Sequence, residues 1–285
     1  MSKCIVTGHM GFIGSELFST LKTAGHEVMG IDLKDGNDIL EVLREDKIEQ
    51  KYLDFKPDYI FHLACIPRVA YSVENPVATM RNNVLAGSLT LNYAKNVGAK
   101  RLIYAGSSSV VGNGNGPASP YALQKLVTEQ ECRIYSQLYE IDTVTLRYFN
   151  VYSESKMDGN PYATAVAKWR YSIKNGINPF ITGDGEQRRD MAYLKDIVSA
   201  NIFAMEQTEN FNGEFFDIGT GSNISLNEIK EIILKNNPKI KFDYMPPRSG
   251  DVMLTKADVE KIKKLGWKPS MSIEEGIERC FRVKN

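Results

Sequence analysis

Residues 4–14 read CIVTGHMGFIG, a short apolar run that passes directly into a turn containing three glycines. The apolar run has the length and character of a buried β-strand, and the apolar spacing that follows Gly14 has the period of a helix. A second strand-like run occupies residues 27–31. Together these segments predict a β-α-β unit in which the glycines join the first strand to the helix.

Gly8, Gly11 and Gly14 have the spacing that allows a tight turn, a close approach to a pyrophosphate and packing of a helix onto a strand. The helix N-terminus would direct its N–H groups at the bound anion. Three glycines also occur in ordinary turns, but Asp32 ends the next strand, where a carboxylate binds a ribose and repels a 2′-phosphate. The unit is therefore predicted to bind a dinucleotide. Asp32 favours NAD over NADP, although Lys34 lies close by in the sequence.

Strand-like runs recur at 59–63, 101–105 and 143–146, separated by segments with helical periodicity. This alternation predicts an α/β fold of the Rossmann type, with a doubly wound parallel sheet. Beyond residue 150 the signals shorten and are punctuated by Gly-, Pro- and Asn-rich turns. We therefore predict a dinucleotide-binding domain over 1–150 and a smaller α/β lobe over 151–285, from which some segments return to the main sheet.

The composition is that of a globular protein of 285 residues, with 35 basic and 35 acidic side chains. Zero net charge provides no global field for a polyanion, so nucleic acid is not an expected partner. The four cysteines form no C-x-x-C pair and the three histidines are widely separated, so we expect no metal and a reduced intracellular chain. No stretch approaches the roughly 18 apolar residues of a membrane span, which favours a cytoplasmic protein without a membrane partner.

A second motif runs from Tyr121 to Lys125 and follows Ser119 and Pro120, which are typical of the N-cap and first position of a helix. Tyr121 and Lys125 share one helical face, so the ammonium and the helix N-terminus should favour the ionised phenol. A solvated Tyr and Lys are the ordinary alternative. Ser107 disfavours it, because this serine follows a strand where ligands bind in open parallel sheets and can hold a hydroxyl whose proton Tyr121 takes.

In combination, these motifs resemble the extended short-chain dehydrogenase/reductase family, in its nucleotide-sugar epimerase/dehydratase branch. Other segments follow the order of that branch: HLA at 62–64, NV at 83–84, LRYFNVY at 146–152, GDGEQRRD at 183–190 and PRSGDV at 247–252. The likeness covers nearly the whole chain. GDGEQRRD, with SVENP at 72–76, is most similar to UDP-sugar 4-epimerases.

The resemblance implies NAD as the cofactor and a UDP-linked sugar as the substrate. It makes Tyr121 the base, Lys125 its modulator and Ser107 the hydroxyl partner. The implied cofactor contacts are Gly8, Gly11, Phe12, Ile13, Gly14, Asp32, Asp38, Ile39, Leu63, Ala64, Asn83, Tyr121, Lys125 and Tyr148. The implied substrate contacts are Ser107, Ser108, Asn150, Arg189, Arg248 and Asp251. Guanidinium groups suit this role because they bind phosphate oxygens bidentately.

Ser108 and Ser109 occupy two positions at which the water-eliminating enzymes of the branch that this chain resembles carry an Asp-Glu pair. Hydroxyls cannot supply an extra acid and base near neutral pH. We therefore expect epimerisation at carbon 4: Tyr121 removes the hydroxyl proton while hydride passes to NAD, and hydride returns to the other face of the 4-keto sugar. A nucleotide-sugar ketoreductase or dehydratase, and a non-catalytic cofactor-binding protein, remain the alternatives.

Some positions depart from the family pattern, which leaves the identity of the sugar open. They are Val111, usually Tyr; Gln124, often Ser; Ser153, usually Gly; and Met191, often aromatic. The segment from Gly112 to Tyr121 is also shorter than is typical, so we expect a more open sugar pocket. Segments 76–96 and 121–139 resemble the helices of a four-helix interface in this family, which predicts a homodimer unless their apolar faces only pack into the core.

Overall fold

The computed structural model describes residues 1–112, 114–154, 164–247 and 252–282. The strands are β1 (Lys3–Thr7), β2 (Glu27–Ile31), β3 (Leu43–Arg44), β4 (Lys47–Ile48), β5 (Tyr59–His62), β6 (Arg101–Ser107), β7 (Asp142–Tyr148), β8 (Phe180–Thr182), β9 (Arg188–Arg189), β10 (Glu214–Ile218), β11 (Ile224–Ser225) and β12 (Asp243–Met245). The α-helices are α1 (Phe12–Thr23), α2 (Ile39–Val42), α3 (Gln50–Phe55), α4 (Val69–Glu74), α5 (Pro76–Met80), α6 (Ala86–Val97), α7 (Pro120–Leu138), α8 (Ala165–Lys174), α9 (Leu194–Glu206), α10 (Leu226–Asn236), α11 (Glu260–Lys263) and α12 (Ile273–Phe281).

The main sheet has six strands in the order β10-β7-β6-β5-β1-β2. The pairs β1–β2, β1–β5 and β5–β6 are parallel, with Cys4 opposite both Val28 and Tyr59. From β1 the sheet grows towards β2 on one side and towards β5 on the other, so the strand order reverses between β1 and β5. Ligands of such sheets bind outside the carboxyl ends of the strands at that reversal. The predicted α/β, Rossmann-type fold is confirmed.

The chain divides into two compact units. The first comprises residues 1–147 and 198–216, and its core joins sheet residues such as Ile5 and Ile60 to helix residues such as Leu91. The second comprises the described residues of 148–197 and 217–282, and its core includes Trp169 and Ile229. In the described ranges, no helix is both long enough and apolar enough to cross a bilayer.

The helix expected over 76–96 is not continuous. Residues Arg81–Leu85, between α5 and α6, form a π-helix, a wide turn with i→i+5 hydrogen bonds. The short elements from α2 to α3 were not predicted, because segments of two to six residues are too short to show a period. The strand Glu214–Ile218, expected with the C-terminal signals, forms an edge of the main sheet.

Candidate active site

The three glycines form the turn between β1 and α1. Gly8 has a φ of +70°, in the left-handed region that favours glycine, and donates to the Ile31 carbonyl at 2.7 Å. A Cβ added at Gly14 would overlap the Gly8 carbonyl oxygen. Gly11 is the N-cap of α1, and within the described chain no side chain caps it and no acidic residue occupies the first turn. The turn therefore fits a pyrophosphate, since the N-terminal N–H groups face no competing anion from that turn.

Asp32 lies at the end of β2 and braces this turn. Its carboxylate accepts from the Met10 and Lys34 N–H groups, each at 2.9 Å. The Lys34 ammonium donates to the Met10 carbonyl at 3.2 Å. Each carboxylate oxygen has two lone pairs, so one on each remains for the two hydroxyls of a ribose. Together with the glycine turn, this donor set fits the adenosine half of NAD.

Several other residues with predicted cofactor contacts also have structural roles. Asp38 caps α2 by accepting from the Leu40 N–H at 3.0 Å, and Ile39 is buried in the first core. The Leu63 and Ala64 N–H groups, directly after β5, donate to the Thr7 hydroxyl. Phe12 and Ile13, in the first turn of α1, are half-buried. Their contacts with the cofactor stay predictions.

Ser107 and Tyr121 come together at the carboxyl end of β6. Ser119 caps α7 by accepting from the Ala122 N–H at 3.2 Å, and Pro120 is the first helical residue, as predicted. Tyr121 therefore lies in the first turn of α7, where its phenol is close enough to the Ser107 hydroxyl for that group to lower the pKa of the phenol. The Ser107 hydroxyl also lies 2.9 Å from that of Ser109. The structure thus places two hydroxyl groups side by side, as a proton transfer from a sugar hydroxyl requires.

The electrostatics of Tyr121 differ from the expectation. Burial raises the pKa of the phenol, and Cys65 adds to the rise, whereas the hydrogen bond from Ser107 and the charge of Arg68 lower it. Lys125 donates its hydrogen bond to β6 rather than to the phenol, and its role as modulator of Tyr121 stays a prediction. Its ammonium donates to the Ala105 carbonyl at 2.8 Å and lies 4.8 Å from the centre of the Tyr104 ring. From the helical face that it shares with Tyr121, the lysine therefore reaches the end of β6.

His62 lies beside this lysine and is neutral. Burial and the charge of Lys125 lower the pKa of His62 to about 3. The Thr7 hydroxyl oxygen already accepts from the Leu63 and Ala64 N–H groups, so its own proton goes to His62 Nδ1, 2.9 Å away. The imidazole proton is therefore on Nε2, which is buried and has no partner in the described residues.

Residues predicted to bind the nucleotide lie in the second unit. The Asn150 amide donates to the Asp190 carbonyl at 2.8 Å and to the Thr255 hydroxyl at 3.2 Å. Arg189, in β9, donates to the Arg188 carbonyl at 3.0 Å. Tyr148, which ends β7, is buried. Arg248 and Asp251 lie outside the described residues, and all of these substrate and cofactor contacts stay predictions.

Sequence reasoning missed Arg68 and Ser72. Arg68 precedes α4 in the loop that follows β5, and its charge reaches the Tyr121 phenol. Ser72, in α4, accepts from the Tyr121 backbone N–H at 3.0 Å. The position of this loop at the carboxyl end of a central parallel strand was the signal that could have drawn attention to both residues.

Comparison with known proteins identifies the family. Residues 4–219 match the model of the NAD dependent epimerase/dehydratase family. The chain is 30% identical to UDP-glucose 4-epimerase of Mycolicibacterium smegmatis over 99% of both chains. It is 31% identical to UDP-glucuronate 4-epimerase of Thermodesulfobacterium geofontis over 98% of this chain and 95% of the relative.

A solved structure resembles the whole chain. The UDP-N-acetylglucosamine 4-epimerase of Methanobrevibacter ruminantium M1, in complex with UDP-N-acetylmuramic acid, superposes with a TM-score of 0.87 at 31% identity. The match covers 98% of this chain and 97% of that one. These similarities confirm the predicted enzyme class and NAD as the cofactor. The chain belongs to the NAD dependent epimerase/dehydratase family.

Proposed function

We propose that this protein inverts carbon 4 of a UDP-linked hexose or N-acetylhexosamine through a transient 4-keto sugar. The observation that carries the proposal is the Ser107–Tyr121 hydroxyl pair at the carboxyl end of β6, in the same unit as the dinucleotide turn. The named 4-epimerases among its relatives support the same reaction class.

The residues of the first unit divide the chemistry among them. When bound, NAD would supply the redox chemistry, as the acceptor of hydride from carbon 4 and its donor to the opposite face. Tyr121, as phenolate, accepts the proton of the 4-hydroxyl and gives it back, while Ser107 holds that hydroxyl in line. The charge of Arg68 stabilises the phenolate. Because hydride and proton both return to the sugar, net redox is zero and no second redox reactant is needed.

The two residues after Ser107 favour epimerisation over elimination of water. Ser108 and Ser109 begin the 3₁₀ turn Ser108–Val111, and the Ser109 hydroxyl lies against that of Ser107. A dehydratase needs an additional acid and base at the sugar, and serine hydroxyl groups do not ionise near neutral pH. The 4-keto sugar is therefore expected to be reduced again rather than to lose water.

We also propose an open sugar pocket. The short segment after the 3₁₀ turn folds back on itself: Gly112 donates to the Ser109 carbonyl at 3.2 Å and Gly116 to the Val111 carbonyl at 3.3 Å. A segment closed in this way leaves room for a larger sugar. Comparable turnover of UDP-glucose, UDP-N-acetylglucosamine and their uronic acids would support this proposal, and strict preference for UDP-glucose would refute it.

A homodimer is supported by exposed apolar side chains on α5 and α7. Val77 is 82% exposed and Leu138 67% exposed, and Leu123 and Ile134 are also exposed on α7. Large contiguous apolar surfaces mark protein interfaces. Sedimentation of the wild type as a dimer, and of Val77→Glu as a monomer with unchanged secondary structure, is the expected result. None of the four cysteines forms a disulfide in the described residues, which supports a cytoplasmic location.

The reaction is tested by incubating the purified protein with UDP-, dTDP- and GDP-sugars without added cofactor and identifying the products by NMR. We expect a 4-epimer of a UDP-sugar, formed to equilibrium. A stable keto product would indicate a dehydratase, and a requirement for added reduced cofactor would indicate a ketoreductase. The absence of any product would refute the catalytic assignment.

A further inference from the structure

The segment that follows β5 is fastened at two points, one to the catalytic helix α7 and one to the π-helix Arg81–Leu85. We define the β5–α4 loop as residues 63–68, which run from the end of β5 to α4. Beyond its far end, in α4, Ser72 accepts from the Tyr121 backbone N–H at 3.0 Å and donates to the Val69 carbonyl at 2.7 Å. Nearer β5, Ile66 is held by the side chain of Asn83. Arg68, whose charge acts on the Tyr121 phenol, lies between these two attachments.

Asn83 reaches the loop from the π-helix Arg81–Leu85. Its Oδ1 accepts from the Ile66 N–H at 2.7 Å, and its Nδ2 donates to the Ile66 carbonyl at 3.3 Å. The side chain is 3% exposed. π-Helical turns displace one residue from the ordinary helical register, which here directs a buried amide at a backbone amide of the loop.

Gln124 connects Asn83 to the catalytic helix. Its Oε1 accepts from Asn83 Nδ2 at 2.8 Å, and its Nε2 donates to the Thr79 hydroxyl at 2.9 Å. Gln124 is 1% exposed and lies three residues after Tyr121, on the same side of α7. These hydrogen bonds form a relay from Thr79 through Gln124 and Asn83 to Ile66. The relay begins on α5, crosses α7 next to the catalytic tyrosine and ends on the loop.

The hydrogen-bond polarity of this relay is fixed at its start. The Thr79 hydroxyl gives its single proton to the carbonyl of Asn75, the N-cap of α5, at 3.0 Å or to that of Pro76 at 3.1 Å. Towards Gln124 it can then only accept, which turns the Gln124 oxygen to Asn83. The Gln124 oxygen needs a donor, which is Nδ2 of Asn83, and the Asn83 oxygen is thereby left facing the Ile66 N–H. A serine at position 124 is too short to contact both partners in this way.

We propose that Gln124 is a positioning residue: by orienting Asn83 it holds the β5–α4 loop against α7 and keeps the charge of Arg68 beside the Tyr121 phenol. The inference rests on the proposed function for its catalytic consequence. The structural part of the inference does not depend on any reaction: it is the clamp on Ile66, by which we mean the two hydrogen bonds between the Asn83 side chain and the Ile66 backbone.

The test compares Gln124→Met with the wild type and with Thr90→Val. Methionine has a similar volume but no hydrogen-bonding groups to complete the relay. Thr90 is equally buried, and among the described residues its hydroxyl bonds only to the Ala86 carbonyl of its own helix, so its substitution controls for the loss of a buried polar group. Thr79→Val is a second variant, which removes the acceptor at the start of the relay and leaves Gln124 in place.

Two readouts separate positioning from mere packing. Hydrogen exchange at the Ile66 amide should become at least about tenfold faster in Gln124→Met. Once Asn83 is no longer oriented, the hydrogen bond that protects this amide weakens, and the loop opens locally. Turnover should fall about tenfold at little changed KM, and the acidic limb of the pH–rate profile should move to higher pH, as expected when a loop bearing a catalytic charge is displaced by a fraction of an ångström. Thr79→Val should show smaller changes in the same direction, and Thr90→Val none.

Faster exchange without any change in turnover or pH profile would overturn the positioning role. Unchanged exchange in both relay variants would overturn the clamp. If the wild type converts no nucleotide sugar, the proposed function fails, and the exchange rate of Ile66 still decides whether the clamp exists.

Discussion

The ammonium of Lys125 donates to the carbonyl of Ala105 at 2.8 Å and thereby joins α7 to the end of β6. Ala105 lies two residues before Ser107, and Lys125 lies four residues after Tyr121. The two hydroxyl groups of the site are carried by different elements, so this contact fixes the separation between them. Lys125 is therefore a brace of the site as well as a predicted contact of the cofactor.

Replacing Lys125 by Met should lower turnover about 100-fold, the scale of displacing a reacting group by about 1 Å, because the brace between α7 and β6 is lost. It should also destabilise the fold by about 1–3 kcal/mol, because the buried Ala105 carbonyl loses its donor. Steady-state kinetics and urea unfolding measure the two effects. Turnover within a few fold of the wild type would contradict the role given to this lysine.

The charge of Arg68 has a predicted signature in the pH–rate profile. This charge lowers the pKa of Tyr121, so its removal raises that pKa. Because the phenolate is the active form, activity in Arg68→Met should appear only at higher pH than in the wild type. Arg68→Lys keeps the charge and should keep most of the wild-type profile. An identical profile for Arg68→Met would show that the guanidinium does not act on the phenol.

Asp32 should determine the choice of dinucleotide. Asp32→Asn removes the charge that repels a 2′-phosphate and weakens the acceptors for the ribose hydroxyls. We expect affinity for NAD to fall about tenfold or more while discrimination against NADP diminishes, measured by calorimetry on cofactor-stripped protein. Asp35→Asn is the matched control, since Asp35 lies in the same turn but contacts His9 and Asn37 instead. Equal effects of the two substitutions would refute the assignment.

His62 should make the fold sensitive to acid. Its folded pKa, about 3, is below its usual value near 6.5, so between these values the unfolded chain binds more protons than the folded one. Stability is therefore undiminished above about pH 6.5 and falls as the pH decreases towards 3, by about 3 kcal/mol at pH 4 from this group alone.

His62→Asn retains an acceptor for the Thr7 hydroxyl but cannot become charged. Its free energy of unfolding, measured in urea, should therefore decrease less between pH 7 and pH 4 than that of the wild type. A parallel decrease in both proteins would show that another group dominates the acid response.

Much of the site could be predicted because its residues lie at the ends of strands and helices, which turn and capping residues mark in the sequence. The glycine turn follows an apolar strand, and Ser119 and Pro120 mark the start of α7. Chain topology then brings these ends together, since the carboxyl ends of parallel strands share one edge of the sheet.

The contacts of Lys125 and Gln124 could not be predicted in the same way. Helical periodicity places a side chain on a face, but its partner depends on tertiary neighbours, here Ala105 for Lys125. The relay through Gln124 depends on the π-helix around Asn83, whose shifted register leaves no mark in the apolar spacing. Arg68 was missed for a related reason, because its proximity to Tyr121 follows from how the loop is held.

The central claim is that Tyr121 exchanges a proton with the 4-hydroxyl while the hydrogen on carbon 4 leaves as hydride and returns within one binding event. It is tested most directly with a UDP-hexose deuterated at carbon 4, incubated in ordinary water without added cofactor and followed by NMR. We predict that the 4-epimer forms with deuterium retained at carbon 4, and that Tyr121→Phe forms almost none of it. A product carrying solvent hydrogen at carbon 4, or undiminished conversion by Tyr121→Phe, would contradict the account.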